Sequence, residues 1–181
     1  MSTASSGPSA SEGTPGAAAL ERAKRPRTAL AGPYGHPFHP IAVTIPIGSW
    51  VASLVFDLIA VFGEEPEVFA AGAYWLIVVG CVGAVVAALL GLLDLSVIPR
   101  GTKAFRTGLL HMALNVVVLT LFLVNLVLRG AQGTDDASSA GIVLSVVALA
   151  LLGVSGWLGG HLAYHHGVRV ANERTQAEAY R

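Results

Sequence analysis

Four long apolar runs, residues 41–62, 73–95, 106–128 and 140–163, are separated by short segments that carry charge, proline and turn-forming residues. A bilayer hydrocarbon core of roughly 30 Å is crossed by about 20 helical residues at a rise of 1.5 Å each. Every run reaches that length, so the pattern predicts four transmembrane helices. Connections of roughly ten residues set consecutive spans antiparallel. The expected architecture is an all-α membrane protein, an up-down-up-down four-helix bundle over residues 33–170.

Composition agrees with a lipid-facing chain: 54% of the 181 residues are hydrophobic and 12% are charged. The net charge of zero conceals an asymmetry. Arg22, Lys24, Arg25 and Arg27 precede the first span, Arg100, Lys103 and Arg106 surround the second connection, and Arg169, Arg174 and Arg181 follow the fourth span. The opposite side holds Glu64, Glu65 and Glu67 in the first connection and Arg129 beside Asp135 and Asp136 in the third. Cytoplasmic flanks retain Lys and Arg, so both termini of this multi-pass protein are expected in the cytoplasm. Residues 1–32, rich in Ser, Ala, Gly and Pro, are expected to be a disordered tail, and residues 171–181 a second tail. The bases from Arg22 to Arg27 are explained by topology and attraction to anionic lipid, which sets nucleic acid aside as a partner. No apolar segment with a small-residue cleavage site precedes the first span, so no signal peptide is expected. No internal repeat shows in the residues.

Helices in lipid associate by close backbone approach, which small residues permit. Gly83, Ala87 and Gly91, with Gly80 alongside, give the second span such a face; Gly156 and Gly160, with Gly153 and Gly159 nearby, give one to the fourth. These faces are expected to pack within the protomer or to form a homo-oligomer contact. Cys81, the single cysteine, reads as a small core residue.

Ionisable groups at membrane depth are costly unless paired, hydrated or bound. All six histidines map to the cytoplasmic side: His36 and His39 before the first span, His111 within the third, and His161, His165 and His166 at the exit of the fourth. Asp94 joins them at the end of the second span. His111, Asn115 and Asn125 fall within an arc of about 80° on a helical wheel, a polar stripe expected to face the bundle interior. Histidines facing each other across a bundle can hold a haem iron or a transition metal. One expectation is therefore a haem b ligated by His111 with His39 or His161 opposite, Asn115 beside it, and propionates paired with Arg100, Lys103, Arg106 or Arg169. A second is a metal or proton site built from His39, Asp94, His111 and His165. A third is an accessory subunit without a cofactor, docked on a larger membrane complex. Asp57 lies near the outer third of the first span, with Asn125, Trp75 or Tyr74 as candidate partners, and Pro46 is expected to kink that span just above His39. No nucleophile elbow, phosphate loop or HExxH motif is present, so no catalytic activity of its own is expected.

The strings His36-Pro37-Phe38-His39-Pro40, Pro46-Ile47-Gly48, Gly91-Leu92-Leu93-Asp94 and Pro99-Arg100-Gly101-Thr102 recur in one family. So do Gly108-Leu109-Leu110-His111-Met112-Ala113-Leu114-Asn115, Gly156-Trp157-Leu158-Gly159-Gly160 with Tyr164, and His166-Gly167-Val168. Together they resemble the bacterial membrane proteins grouped as domain of unknown function 2231, over roughly residues 33–170. The resemblance implies a multi-pass protein of the bacterial cytoplasmic membrane. Some relatives are similar to fusions with a Rieske iron–sulfur domain, which implies an electron-transfer setting and a redox or respiratory complex as partner. His39, Asp94, His111 and Asn115 match the family pattern. His161 and His165 depart from it, since relatives often carry an acidic residue at the former and an arginine near the latter.

Overall fold

Helix ends in this chain are set by caps and prolines more than by the limits of apolar sequence. The computed structural model describes residues 14–134 and 136–181. Pro46 has no amide hydrogen for the carbonyl of Ala42, and the chain turns at Val43 between α2 (His39–Ala42) and α3 (Thr44–Phe62). Pro66 opens α4 (Pro66–Leu95), where a missing amide hydrogen costs nothing. The Thr102 hydroxyl caps α5 (Lys103–Gln132) by accepting from Phe105 N. Ser138 caps α6 (Ser139–Gly160) through Gly141 N. Four segments are long and apolar enough to span a membrane: His39–Phe62, Pro66–Leu95, Lys103–Gln132 and Ser139–His165. They are longer than the apolar runs. α4 starts at Pro66 rather than residue 73, and α5 continues to Gln132, which takes Arg129 out of the expected connection and into a helix.

The expected N-terminal tail is corrected over residues 15–31; its first 13 residues lie outside the described ones. α1 (Pro15–Lys24) is capped by Thr14, and a 3-10 turn covers Ala29–Ala31. Ala23 is buried against Ile98 and Val168. The backbone N–H of Arg169 donates to Ala23 O, and its Nη2 donates to the carbonyls of Ala31 and Gly32. Alanines need little volume to dock, and one arginine satisfies three carbonyls, so this segment is held by contacts that composition does not reveal. At the other terminus Asn172 caps the short α7 (Glu173–Glu178).

α3 packs along α4, and α5 along α6, giving two antiparallel hairpins. Glycines on α4 form the groove that receives the first span. A Cβ at Gly80 would overlap the Trp50 indole, one at Gly83 would come within 2.7 Å of Ile45, and one at Gly91 within 3.0 Å of His39. On α6 the packing glycines are Gly141, against Asn125 and Arg129, and Gly159, against His111. Gly153 and Gly156 face open space, so the face expected around Gly156 is not where α6 meets its neighbour within the chain.

The two hairpins repeat one pattern of buried positions, a correspondence that the residue identities alone do not display. Four of the five buried positions of α3 are Pro46, Trp50, Ser53 and Asp57, and four of the five of α5 are Val118, Phe122, Asn125 and Arg129; Ala60 and Gly108 have no buried counterpart. Each of the four in α5 lies 72 residues after its counterpart in α3, the separation of Asp57 and Arg129. Ala73, Ile77, Gly80 and Ala87 of the second span correspond in the same way to Gly141, Ser145, Ala148 and Ser155 of the fourth, 68 residues on (73 to 141, 87 to 155). Equivalent spans run in the same direction, so the halves are parallel repeats about an axis along the membrane normal. Three equivalent pairs meet on that axis: Trp50 stacks on Phe122 with centroids 4.2 Å apart, Asp57 pairs with Arg129, and His39 faces His111.

Gly80→Ala is expected to displace the Trp50–Phe122 stack and to destabilise the protein by about 1–3 kcal/mol, the usual cost of overpacking a filled site. Gly156→Ala, into open space, is expected to leave stability unchanged or slightly raised. Thermal unfolding in detergent, followed by tryptophan fluorescence, compares the two directly.

Candidate functional site

The axial contacts form three layers, and each has its own chemistry. In the outer layer, which lies toward the α3–α4 connection while the inner layer lies toward the chain termini, Arg129 places Nη1 2.7 Å from Asp57 Oδ1 and Nη2 2.6 Å from Oδ2, a bidentate pair with both side chains almost fully buried. Arg129 Nε donates to Asn125 Oδ1 at 2.7 Å, and Asn125 Nδ2 donates to Gly141 O and Ser145 Oγ, each at 2.9 Å. This corrects the expected partner of Asp57. It is Arg129, with Asn125 one bond further along, while Trp75 stays exposed. It also removes Arg129 from the outer loop charge: the base is consumed inside the bundle.

Below it lies the Trp50–Phe122 stack, in a core that also holds Ile77, Cys81, Val118 and Ala148. This apolar layer separates the outer ion pair from the histidines, and the buried Trp50 Nε1–H within it has no hydrogen-bond partner among the described residues.

In the inner layer His39 and His111 meet edge to face, ring centroids 6.3 Å apart and planes at 86°. Each ring is anchored in the same way. His39 Nδ1 lies 2.8 Å from the carbonyl of Ala87 on α4, and His111 Nδ1 lies 2.8 Å from the carbonyl of Ser155 on α6. A carbonyl only accepts, so Nδ1 of each ring carries hydrogen, and Nε2 of His111 lies 3.3 Å from Asn115 Nδ2. In both halves a glycine four residues after that carbonyl, Gly91 or Gly159, makes room for the ring. Asn115 holds the layer from the side: its Nδ2 donates to Ser155 Oγ at 2.6 Å and to His111 O at 2.8 Å. The polar stripe expected along α5 does face the interior, at Asn115 and again at Asn125.

The other residues singled out from sequence go elsewhere. Asp94 accepts from Arg169 Nε at 2.7 Å, and this ion pair, with the Arg169 bonds to Ala31 and Gly32, fastens the N-terminal segment to the bundle end. Arg169 does this with a positive φ of 61°, the one non-glycine residue with positive φ among those described. Paired with Asp94, Arg169 is not available for the propionate contact expected of it. Arg100 borders an open recess of about 250 Å³ with Arg27, Leu92, Leu95 and Phe105. Arg106 and Lys103 are exposed at the same end. His161 and His165 are not part of the axial layer and gather with His166 in a cluster of their own. His36 is exposed, with Nδ1 3.3 Å from Tyr34 O. Burial pushes the pKa of His166 below the usual histidine value, and positive charge on His161, His165 and Lys103 adds to that.

A family model described as a predicted membrane protein, DUF2231, matches residues 35–172. The chain belongs to the DUF2231 family. The match covers both hairpins and Arg169, and it begins after α1, so the docked N-terminal helix lies outside the matched residues. Comparison with curated proteins and with solved structures returns no significant match.

Removing one partner of the outer ion pair strands a charge in the core. Arg129→Met is expected to cost about 3–5 kcal/mol, whereas Asp57→Leu combined with Arg129→Met is expected to recover much of that loss. A double-variant cycle of thermal unfolding measures the coupling; independent, additive losses would show that the pair does not act as a unit.

Proposed function

We propose that this DUF2231 protein is a b-type haem protein that carries electrons in the bacterial cytoplasmic membrane, with its iron bound between His39 and His111. The supporting observation is the paired anchoring of the two rings. Both give Nδ1–H to a backbone carbonyl of the neighbouring helix, the arrangement that holds metal-binding histidines in one tautomer; in His111 the Asn115 amide, 3.3 Å from Nε2, would have to yield that nitrogen to the iron. The rings are also close, with centroids 6.3 Å apart, so both would be within reach of one iron held between the two hairpins.

Of the two candidates opposite His111, His39 is the one on the axis, and His161 is set aside. Asn115 and Ser155 fix the His111 side through their mutual hydrogen bond. Arg100, Lys103 and Arg106 are the cations at this end left to neutralise propionates, since Arg169 is committed to Asp94. When bound, the group supplies reversible one-electron chemistry and asks no acid or base of the protein. The chain has no catalytic role of its own in this reading. It passes electrons to a redox or respiratory membrane complex, with both termini in the cytoplasm where the bases lie.

A dithionite-reduced minus oxidised spectrum of detergent-purified protein, made with ample haem, is expected to show a Soret and an α-band. Either His39→Ala or His111→Ala is expected to abolish the six-coordinate signature. A flat spectrum from the unmodified protein would overturn the proposal and leave the two histidines as helix-to-helix hydrogen bonds of an accessory subunit.

A further inference from the structure

The inner end of α6 does something the equivalent end of α4 does not. Residues His161–His165 wind as a π-helix, closed by a bond of 3.0 Å from His166 N to His161 O, five residues back. On ordinary α-helical winding of about 100° per residue, His161 and His166 would point about 140° apart. The wider turn brings the first, fifth and sixth residues of the segment onto one side. His161 and His165 stack with centroids 4.3 Å apart, His166 lies 4.7 Å from His161 and 5.1 Å from His165, and one ring nitrogen of each falls within 4.8 Å of the others. Single π-turns inside α-helices concentrate at functional sites.

The repeat shows that the fold does not require this. Residues 68 positions earlier are Leu93, Val97 and Ile98, and there α4 ends in ordinary turns, with Ser96 N bonded to Leu92 O and Val97 and Ile98 buried as apolar residues. The second hairpin has three imidazoles where the first has three hydrocarbons.

We propose that His161, His165 and His166 bind one divalent transition-metal ion of the kind imidazole favours, such as Zn²⁺ or Cu²⁺, with water completing the coordination. Metal–nitrogen bonds of about 2.0–2.1 Å in a tetrahedron hold ligand nitrogens about 3.3 Å apart. The rings reach that spacing by small side-chain rotations, because His165 is exposed and the other two are half-buried. The site stands apart from the axial pair and does not depend on its haem. An ion here closes the segment between α6 and Gly167, next to the Asp94–Arg169 pair that holds the N-terminal segment.

The test is titration of full-length, detergent-purified protein, prepared with an affinity tag free of histidine, with Zn²⁺ by calorimetry and with Cu²⁺ by electron paramagnetic resonance. One ion per chain is expected, with at least a tenfold loss of affinity in each of His161→Gln, His165→Gln and His166→Gln and no change in His39→Ala. The Cu²⁺ spectrum of the unmodified protein is expected to show hyperfine coupling to several nitrogens, which needs no variant to fold. Affinity unmoved by the three substitutions, or lost in His39→Ala instead, overturns the proposal whatever the absorption spectrum shows.

Discussion

The register of the whole molecule is fixed by one ion pair. Asp57 and Arg129 are buried to near completeness, and each forms two hydrogen bonds with the other. Inside a bilayer no water is available to compensate a misplaced charge. Sliding one hairpin against the other by a single turn, about 5.4 Å, would separate the charges and strand both. The pair therefore sets the height at which the two halves meet, and the Trp50–Phe122 and His39–His111 contacts follow from it at the same 72-residue spacing. Asn125 and Ser145 carry the constraint into α6, since the asparagine that receives Arg129 Nε also donates to Gly141 and Ser145.

A two-fold axis imposes its own chemistry on the residues that touch across it. Two carboxylates or two guanidinium groups in the outer layer would repel at close range in a low-dielectric core, so an unmodified duplicate is unstable there, and the halves differ as acid and base. The middle layer differs by shape, indole against phenyl. Only the inner layer keeps the same residue in both halves. Two imidazoles can meet there because each gives Nδ1–H to a carbonyl of its own hairpin, so neither asks a hydrogen bond of the other.

The spans, their antiparallel order, the polar stripe on α5 and the break at Pro46 were legible in the sequence because each depends on local periodicity or on one residue type. Arg129 was not: hydropathy places a base just beyond Leu128 in a loop, and only contact with a carboxylate 72 residues away makes its burial affordable. The repeat was hidden for a related reason. Complementarity on the axis drives equivalent residues apart in identity, so Trp50 aligns with Phe122 and Asp57 with Arg129, and only the pattern of burial reveals the match. Order in residues 15–31 was hidden because alanines dock with little hydrophobic signal and their carbonyls are satisfied by Arg169, far along the chain. Among the residues singled out, the shared face of His111 and Asn115 on α5 and that of His161 and His165 on α6 follow from helical spacing. The arrival of His166 beside them does not, because periodicity assumes α-helical winding and α6 ends in a π-turn.

The two histidine groups also differ in how they relate to the symmetry, and this separates their roles. The axial pair uses equivalent positions, equivalent carbonyls and equivalent glycines in both halves, so it belongs to the architecture of the repeated unit. The cluster at the end of α6 has apolar counterparts in the first hairpin and depends on a helical distortion found in one half alone. A group built from both halves responds to their relative position, whereas one built from a single helix end responds to that end. Through Gly167 and Arg169 it adjoins the latch over the inner face.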